Sequence, residues 1–235
     1  MTADTAAPAD ASALWHRVIL KVTGHFRRRR GQLLTKTFPD LSSYQVCDLG
    51  GSRHFWLSAA IENRPKRVEV LNITLEAINA AGIGQGDADS DDFLFEIYDG
   101  VTIPRDTGYF DLLICNSVLE HVPRADRAGL AQEMTRVATR LFVQTPAKGF
   151  PVDPHFLMPL VHWVPRPLGR YLARVSPWRL LTHADNRKAD EYFDNTQLLG
   201  RRELKRLYPG GTLVVERFLG MPKSYVVVVG QEQAS

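Results

Sequence analysis

The 235-residue sequence has only two cysteines, Cys47 and Cys115, and both stand within apolar runs of strand-like composition. Two cysteines in such positions exclude a framework of disulfides and a cysteine-based metal site. We expect both to be buried thiols in a protein of a reducing compartment.

Long apolar runs are also missing. No stretch approaches the roughly 20 consecutive apolar residues that span a bilayer, and residues 1–12 have no apolar core of signal-peptide length. The net charge is only +3, which is too small to indicate a nucleic-acid partner. These absences predict a cytoplasmic protein with no integral membrane segment and no nucleic-acid partner.

The sequence does contain a series of short apolar runs separated by helical patterns. Five of them are almost continuously apolar, which is typical of parallel strands covered on both faces. Two closing runs are joined by a connection too short for a crossover helix, so they should pair antiparallel. The predicted strands are 44–49, 67–73, 93–98, 110–115, 141–144, 212–218 and 224–229. The pattern predicts an α/β fold, a mostly parallel sheet with an antiparallel C-terminal hairpin.

Three segments outside this pattern elaborate the single domain that we expect over residues 1–235. Residues 1–11 are small and polar and should form a disordered tail, whereas residues 12–38 should form an N-terminal helical lid. Residues 147–194 are an irregular insertion, and such insertions are usually functional or mobile. We expect this one to be a substrate lid. Helical spacing then returns over residues 195–207.

The turn after the first predicted strand is the most informative local feature. There Asp48 is followed by Gly50, Gly51 and Ser52, and a helix-competent run begins at once. A strand, a glycine turn and a helix N-terminus in this order bring backbone N–H groups and a missing Cβ close to a ligand. Glycine pairs after strands are common, so the turn alone is also explained by turn chemistry.

Polar residues stand at the ends of three further strands: Asn72, Asp99 and Asn116. Because the carboxyl ends of parallel strands meet at one edge of the sheet, these residues and the glycine turn should line one crevice. That edge would offer N–H groups, a polar partner for a ribose and an acid for an adenine amino group. A nicotinamide-binding fold is an alternative, but it favours a complete Gly-x-Gly-x-x-Gly motif, which this turn lacks.

The motifs 48–52, 98–100 and 110–122 resemble those of class I S-adenosylmethionine-dependent methyltransferases, and the resemblance covers roughly residues 44–230. The ending Leu-Glu-His-Val of the third motif marks a large branch of that family. The resemblance implies a Rossmann-like seven-stranded sheet and S-adenosylmethionine as the cofactor. It also implies that Gly50 approaches the methionine part, Asn72 the ribose, Asp99 the adenine amino group and Asn116 the sulfonium.

Two departures from the family pattern concern the cofactor. Ser52 and His54 stand where the family usually has glycines, and Asn72 stands where it usually has an acid. An amide can still hydrogen-bond a diol but carries no charge, so weaker cofactor binding is expected.

The resemblance also raises the question of a metal. In the quinone-biosynthesis branch of the family, a Glu-His pair and an earlier Glu bind a divalent ion. Here the pair corresponds to Glu120 and His121, whereas Ser117 stands at the earlier position. The resemblance therefore allows a divalent metal such as Mg²⁺ on Glu120 and His121, with an incomplete ligand set.

Methyl transfer to a hydroxyl requires a base or a metal, because a sugar hydroxyl does not ionise unaided at neutral pH. His121, with Glu120 beside it, is one candidate. His155 is another, since it follows the fifth strand in a loop where Asp153 could orient it or hold a metal. For either histidine, the alternative is a structural role in capping a helix or holding a loop.

The acceptor is indicated by the insertion, which is rich in aromatic side chains. These could pack on the C–H faces of a sugar or form a small core within the lid; they are Phe150, Phe156, Trp163, Tyr171 and Trp178. Residues 144–163 resemble bacterial methyltransferases of polysaccharide and glycolipid synthesis, including mycobacterial sugar 1-O-methyltransferases.

We therefore expect O-methylation of a carbohydrate hydroxyl, on a small-molecule or oligosaccharide acceptor. The alternatives are methylation of a lipid-like or phenolic molecule and a non-catalytic cofactor-binding module. The basic run of residues 27–30 is either a solvated helix face or a surface that attracts an anionic substrate or membrane.

Overall fold

The computed structural model describes residues 9–80 and 92–230, and side chains from residue 23 onward apart from 78–80. Within these ranges, seven strands form one sheet and two short strands form a separate hairpin. Most of the predicted tail lies outside the described residues. Its last residues, from Ala9, belong to the first helix, so the expected disorder of residues 9–11 is wrong.

The main sheet confirms the predicted fold class. Its order is β3-β2-β1-β4-β5-β9-β8, parallel through the first five strands and antiparallel at β9 and β8. The strands are β1 (Val46–Leu49), β2 (Val68–Asn72), β3 (Phe93–Ile97), β4 (Phe110–Asn116), β5 (Ala138–Pro146), β8 (Thr212–Phe218) and β9 (Met221–Val229). β6 (Val152–Asp153) and β7 (Met158–Pro159) form the small hairpin.

Helices and their buried side chains cover both faces of the sheet. The helices are α1 (Ala9–Thr37), α2 (Arg53–Ser58), α3 (Leu75–Ala80), α4 (Arg127–Val137), α5 (Arg166–Arg174), α6 (Pro177–Thr182), α7 (Asn186–Asn195) and α8 (Arg201–Leu207). Residues of β1, β2 and β4 alternate between two buried clusters, one on each face. This double burial explains the nearly continuous apolar strands of the sequence. Among the described residues, no helix has both the length and the apolar character required to cross a bilayer.

Helix α1 packs against one face of the sheet and is continuous through Gly24. Phe26, Leu34 and Phe38 are buried. Gly31 is required for this packing, because a Cβ there would lie 2.0 Å from the carbonyl oxygen of Ala59. In the basic run of residues 27–30, two arginines contact other parts of the protein and two are exposed to solvent. Arg27 bonds His54 and Ser58 and Arg30 pairs with Glu216, whereas the two arginines between them are exposed.

The insertion contains β6, β7 and helices α5 to α7, and it has a small core of its own. Phe156, Val161, Ala173 and Phe193 are buried together there. The helix predicted from residue 195 begins only at Arg201. Asn195 instead ends α7, and Leu199 bridges to Ala147 beside β5. Leu199 therefore lies outside α8, and its helical spacing with the later leucines was misleading.

Candidate active site

Polar side chains form one row across the carboxyl edge of the sheet. Leu49 pairs with Leu71 of β2 and with Cys115 of β4, so Gly50, the next residue, lies level with Asn72 and Asn116. Asn116 in turn pairs with Gln144 of β5. The row crosses the boundary between β1 and β4, where the strand order reverses. Such a switch point is where ligands bind in open α/β sheets.

The glycine turn in this row is held by contacts within the protein. Gly50 has φ of +66°, and a Cβ there would lie 2.5 Å from a methyl group of Val118. A Cβ on Gly51 would lie 1.9 Å from the carboxyl carbon of Asp48. The N–H groups of Gly50 and Gly51 donate to the carbonyls of Leu71 and Asp48. Both glycines are thus required by the fold itself, and their two N–H groups already have partners.

Asp48 lies fully buried beneath this turn. Its Oδ2 accepts a hydrogen bond of 2.8 Å from the indole of Trp56, whereas its Oδ1 is buried without a partner. Burial raises the pKa of Asp48 to about 7, although the bonds from Trp56 and the backbone of Ser52 oppose the shift. Ser52 also precedes helix α2 as its N-cap residue, without a capping bond from its side chain.

Asn72 and Asp99 complete the edge on the β2 and β3 side. The amide nitrogen of Asn72 donates to the carbonyl of Gly51 over 3.3 Å. A carboxylate could not donate this bond, so the bond explains why an amide stands at position 72. Asp99 is exposed, and its Oδ1 accepts from the N–H groups of Val101 and Thr102 at 2.8 and 2.7 Å. These bonds lower the pKa of Asp99.

Asn116 at the end of β4 is the clearest sign of a missing partner. Both polar atoms of its amide are buried and neither has a hydrogen-bond partner. Buried polar atoms in native proteins are nearly always hydrogen-bonded, so an unsatisfied amide calls for a ligand or water. Ser117, the next residue, has a positive φ of 55° and bonds Gln144 through its hydroxyl.

A second group of polar residues, here called the His-carboxylate cluster, lies beyond the ends of β4 and β5. It consists of Glu120, His121, Asp153, His155 and His162. Nε2 of His155 lies 3.5 Å from Oε1 of Glu120, and Nδ1 lies 3.3 Å from Oδ1 of Asp153. Nε2 of His162 lies 2.7 Å from the other oxygen of Asp153. The rings of His121 and His155 meet edge to face, with their centroids 5.0 Å apart.

The protein's own structure holds the cluster in place. Glu120 is fully buried, and its Oε2 accepts a 2.9 Å bond from the hydroxyl of Thr145. Asp153 accepts the backbone N–H groups of His155 and Phe156. His121 stacks on Tyr192 of α7. The insertion is therefore part of the site.

The two histidines that sequence analysis selected differ in charge. Burial by itself lowers the pKa of His155, but the adjacent carboxylates of Asp153 and Glu120 outweigh it and raise the pKa to about 9. Burial also lowers the pKa of His121, and there it prevails over the attraction of Glu120. At neutral pH His155 is thus cationic and His121 neutral. The histidines keep the pKa of Asp153 below its usual range, against the effect of its own burial.

Sequence analysis found most of these residues but missed three. Pro159 interrupts any helical pattern between His155 and His162, but Val152 pairs with Pro159 in the β6–β7 hairpin. The hairpin reverses the chain and returns His162 to Asp153. Thr145 and Tyr192 carried no recognisable sequence signal, since their roles depend on contacts between distant segments.

The predicted aromatic side chains of the insertion fall into two groups. Phe156 and Trp178 belong to the core of the insertion, as the lid-core interpretation expected, and Phe150 packs beside Phe218. Trp163 and Tyr171 remain 54% and 61% exposed. Only these last two are free to contact a ligand extensively.

The comparisons with known proteins agree with this fold and this edge. Residues 48–140 match a family described as a methyltransferase domain. No curated protein matches the chain, so nothing supports the mycobacterial subgroup suggested by residues 144–163. The matched residues include the glycine turn, Asp99, Asn116 and the Glu120-His121 pair.

Solved structures provide the comparison of fold. An S-adenosylmethionine-dependent methyltransferase from Mesorhizobium loti is 15% identical, with a TM-score of 0.53, covering 84% of this chain and 95% of its own. A Pyrococcus horikoshii protein is 14% identical, with a TM-score of 0.54 and coverage of 86% and 87%. A Rhodobacter sphaeroides protein that bears the name of a zinc-dependent alcohol dehydrogenase is 12% identical, with a TM-score of 0.57 and coverage of 87% and 90%. At these identities the likeness is one of fold alone.

The strand order and the polar edge define a Rossmann-like protein with its site at the β1–β4 switch point. The matched methyltransferase domain, residues 48–140, contains this edge from Asp48 to Asn116.

Proposed function

We propose that the cofactor lies across the row at the carboxyl edge, with its adenine end toward β3 and its sulfonium toward β4. Asp99 would accept from the adenine amino group, and Asn72 would bond the ribose. Asn116 would lie beneath the sulfonium, and the buried Oδ1 of Asp48 would face the methionine end at the Gly50-Gly51-Ser52 turn. The unsatisfied amide of Asn116 and the unpartnered oxygen of Asp48 support this assignment.

The reaction that fits the site best is transfer of the methyl group to a hydroxyl. The observation that carries this proposal is the His-carboxylate cluster, because a hydroxyl acceptor must lose a proton as the methyl arrives. The cluster lies beyond the ends of β4 and β5, so it would be adjacent to the sulfonium end of the proposed cofactor position. In the metal-free protein His121 is the imidazole able to take a proton, since His155 is already charged.

The proposed acceptor is a carbohydrate, either an oligosaccharide or a polysaccharide precursor. Sugar rings pack their C–H faces on aromatic side chains while their hydroxyls require polar partners. Trp163 and Tyr171 are exposed on the insertion. A cavity of about 240 Å³ beside His162 is lined by polar side chains that include Arg124, Lys148 and Arg166.

One observation favours a second candidate, a lipid-like or phenolic acceptor. Helices α5 and α6 and the turn between them expose several large apolar side chains, namely Leu168, Val175, Leu180 and Leu181. A screen of sugars, phenols and lipid-like alcohols with labelled S-adenosylmethionine, read by mass spectrometry, separates the two candidates. Methylation of sugars supports the main proposal, whereas methylation of phenols or lipids alone overturns it in favour of the second.

Cofactor binding is tested by Asp99→Asn. The amide oxygen can keep the bonds to Val101 and Thr102, but the second carboxylate oxygen becomes an NH₂ donor facing the adenine amino group. Calorimetry should show S-adenosylmethionine binding about 10-fold weaker or more, as expected for one mismatched bond to a charged group. Unchanged affinity would remove Asp99 from the site.

A further inference from the structure

The His-carboxylate cluster contains three side chains whose potential metal-ligand atoms lie close together. Each of Glu120, His121 and His155 offers an atom, and these atoms lie within 4.8 Å of one another. Atoms that bind one ion at 2.0–2.2 Å lie at about this separation or less. Such spacing is necessary for a metal site but not sufficient.

The second observation is that one of these atoms is buried and unsatisfied. Oε1 of Glu120 has no hydrogen-bond partner, although the side chain is fully buried. Nε2 of His155 lies 3.5 Å from this oxygen, which is too far for a good hydrogen bond. A buried carboxylate oxygen without a partner is costly, and a cation between it and the two imidazoles would satisfy it.

The third observation is that a different protein group contacts each candidate ligand. The other oxygen of Glu120 accepts from Thr145, and Nδ1 of His155 lies beside Asp153. The ring of His121 stacks on Tyr192. Metal-binding histidines usually have a carboxylate or a carbonyl on their second nitrogen, which fixes the tautomer and directs the first nitrogen at the metal. Of the two histidines, His155 has a carboxylate beside its second nitrogen, because Oδ1 of Asp153 lies 3.3 Å from Nδ1.

We propose that Glu120, His121 and His155 bind a first-row transition-metal ion, with Zn²⁺ as the reference ion. Two imidazoles and one carboxylate form the donor set of open catalytic zinc sites, which keep a position for water or substrate. Mg²⁺, the ion suggested by the sequence, prefers oxygen ligands. Ser117 is not needed, because His155 from the insertion takes the place of the third ligand.

The inference deepens the proposed function and changes the role of His121. When bound, the ion would supply Lewis acidity to the acceptor hydroxyl and lower its pKa, so that its proton would pass to solvent water and not to His121. His121 and His155 would hold the ion, Thr145 and Asp153 would orient two of the ligands, and the insertion would bring His155 to the end of β4.

The test measures binding of the metal alone, without S-adenosylmethionine or acceptor, so its failure leaves the proposed methyl transfer intact. The chelator-treated protein is titrated with ZnCl₂, CoCl₂ and MgCl₂, and followed by calorimetry, Co²⁺ visible absorption and thermal unfolding. We expect one Zn²⁺ per chain, Co²⁺ absorption bands, and Mg²⁺ binding weaker by about 100-fold or more.

Substitutions locate the ion. His155→Ala and Glu120→Gln should each weaken Zn²⁺ binding by about 100-fold or more, and Asp153→Asn by roughly 10- to 100-fold. His162→Ala is the matched control, because it removes a histidine that contacts Asp153 but is not a ligand; its affinity should stay within several-fold of wild type. Circular dichroism checks folding, and if Glu120→Gln fails to fold, the His155→Ala variant decides, because the His155 side chain is 9% exposed whereas that of Glu120 is fully buried. Absence of Zn²⁺ binding in wild type, or equal binding by His155→Ala and wild type, overturns the proposal.

Discussion

The two halves of the site are built in different ways. The row of Asn72, Gly50 and Asn116 is positioned by strand register, so its neighbours are fixed by backbone hydrogen bonds. The His-carboxylate cluster is positioned by side-chain contacts between β4, β5 and the insertion. In the proposed function, the sheet edge binds the cofactor, and the insertion contributes to acceptor binding and to proton removal from the acceptor. Substitutions in the cluster should therefore leave the affinity for S-adenosylmethionine unchanged, and substitutions in the row should leave Zn²⁺ binding unchanged.

The largest expected effect is on turnover. His121→Ala removes both the neutral imidazole and a proposed metal ligand, so kcat should fall by about 10²- to 10⁴-fold. The affinity for S-adenosylmethionine, measured by calorimetry, should stay within several-fold of wild type. If the affinity for S-adenosylmethionine fell as much as kcat, the cluster and the row would not act independently.

The affinity for S-adenosylmethionine should depend on the row of residues at the carboxyl edge of the sheet. Asn116→Ala removes the amide proposed to lie beneath the sulfonium, so S-adenosylmethionine should bind about 10-fold more weakly. Zn²⁺ binding to the same variant should be unchanged. If Zn²⁺ binding falls while cofactor affinity holds, Asn116 serves the cluster instead.

Stability should depend on pH through Asp48. Its pKa is about 7 in the folded protein, against 3.8 for an unperturbed aspartate, so its stabilising effect is fully present below about pH 4 and is lost as the pH rises through about 7. From about pH 5 to about pH 8, the unfolding free energy of wild type should fall by ~2–4 kcal/mol relative to Asp48→Asn. Urea unfolding of both proteins measures the difference. Parallel pH profiles would show that the buried carboxyl is not neutral in the fold.

The smallest effect is expected on the exposed face of the insertion. Tyr171→Ala removes an aromatic ring that is 61% exposed and should raise KM for a sugar acceptor by about 5- to 10-fold, the value of one stacking contact. Both kcat and cofactor affinity should be retained. Trp178→Ala is the contrasting variant, because Trp178 packs against the core of the insertion and should lower stability as well. If the two variants change KM and stability to the same extent, Tyr171 does not belong to the acceptor surface.

The difference between the row and the His-carboxylate cluster also explains which features could be predicted from the sequence. Strand identity, strand order at the C-terminus and the row of polar tips follow from apolar periodicity and from the shared edge of parallel strands. Asp153, His155 and the Glu120-His121 pair were also selected, since each stands next to a strand or in the loop beyond one.

The contacts between these residues could not be predicted in the same way. Pairing of His162 with Asp153 depends on a two-residue hairpin that periodicity cannot detect. The opposite pKa shifts of His121 and His155 depend on burial and on the distances to two carboxylates. The start of α8 was misplaced because Leu199 belongs to a bridge with Ala147 and not to a helix face.

The most direct test is a crystal structure with S-adenosylhomocysteine. We predict the adenine amino group at Asp99, the ribose hydroxyls at Asn72 and the sulfur beside Asn116, with the position vacated by the methyl group open toward His121. A product bound away from the row, or a sulfur pointing away from the insertion, would contradict the account.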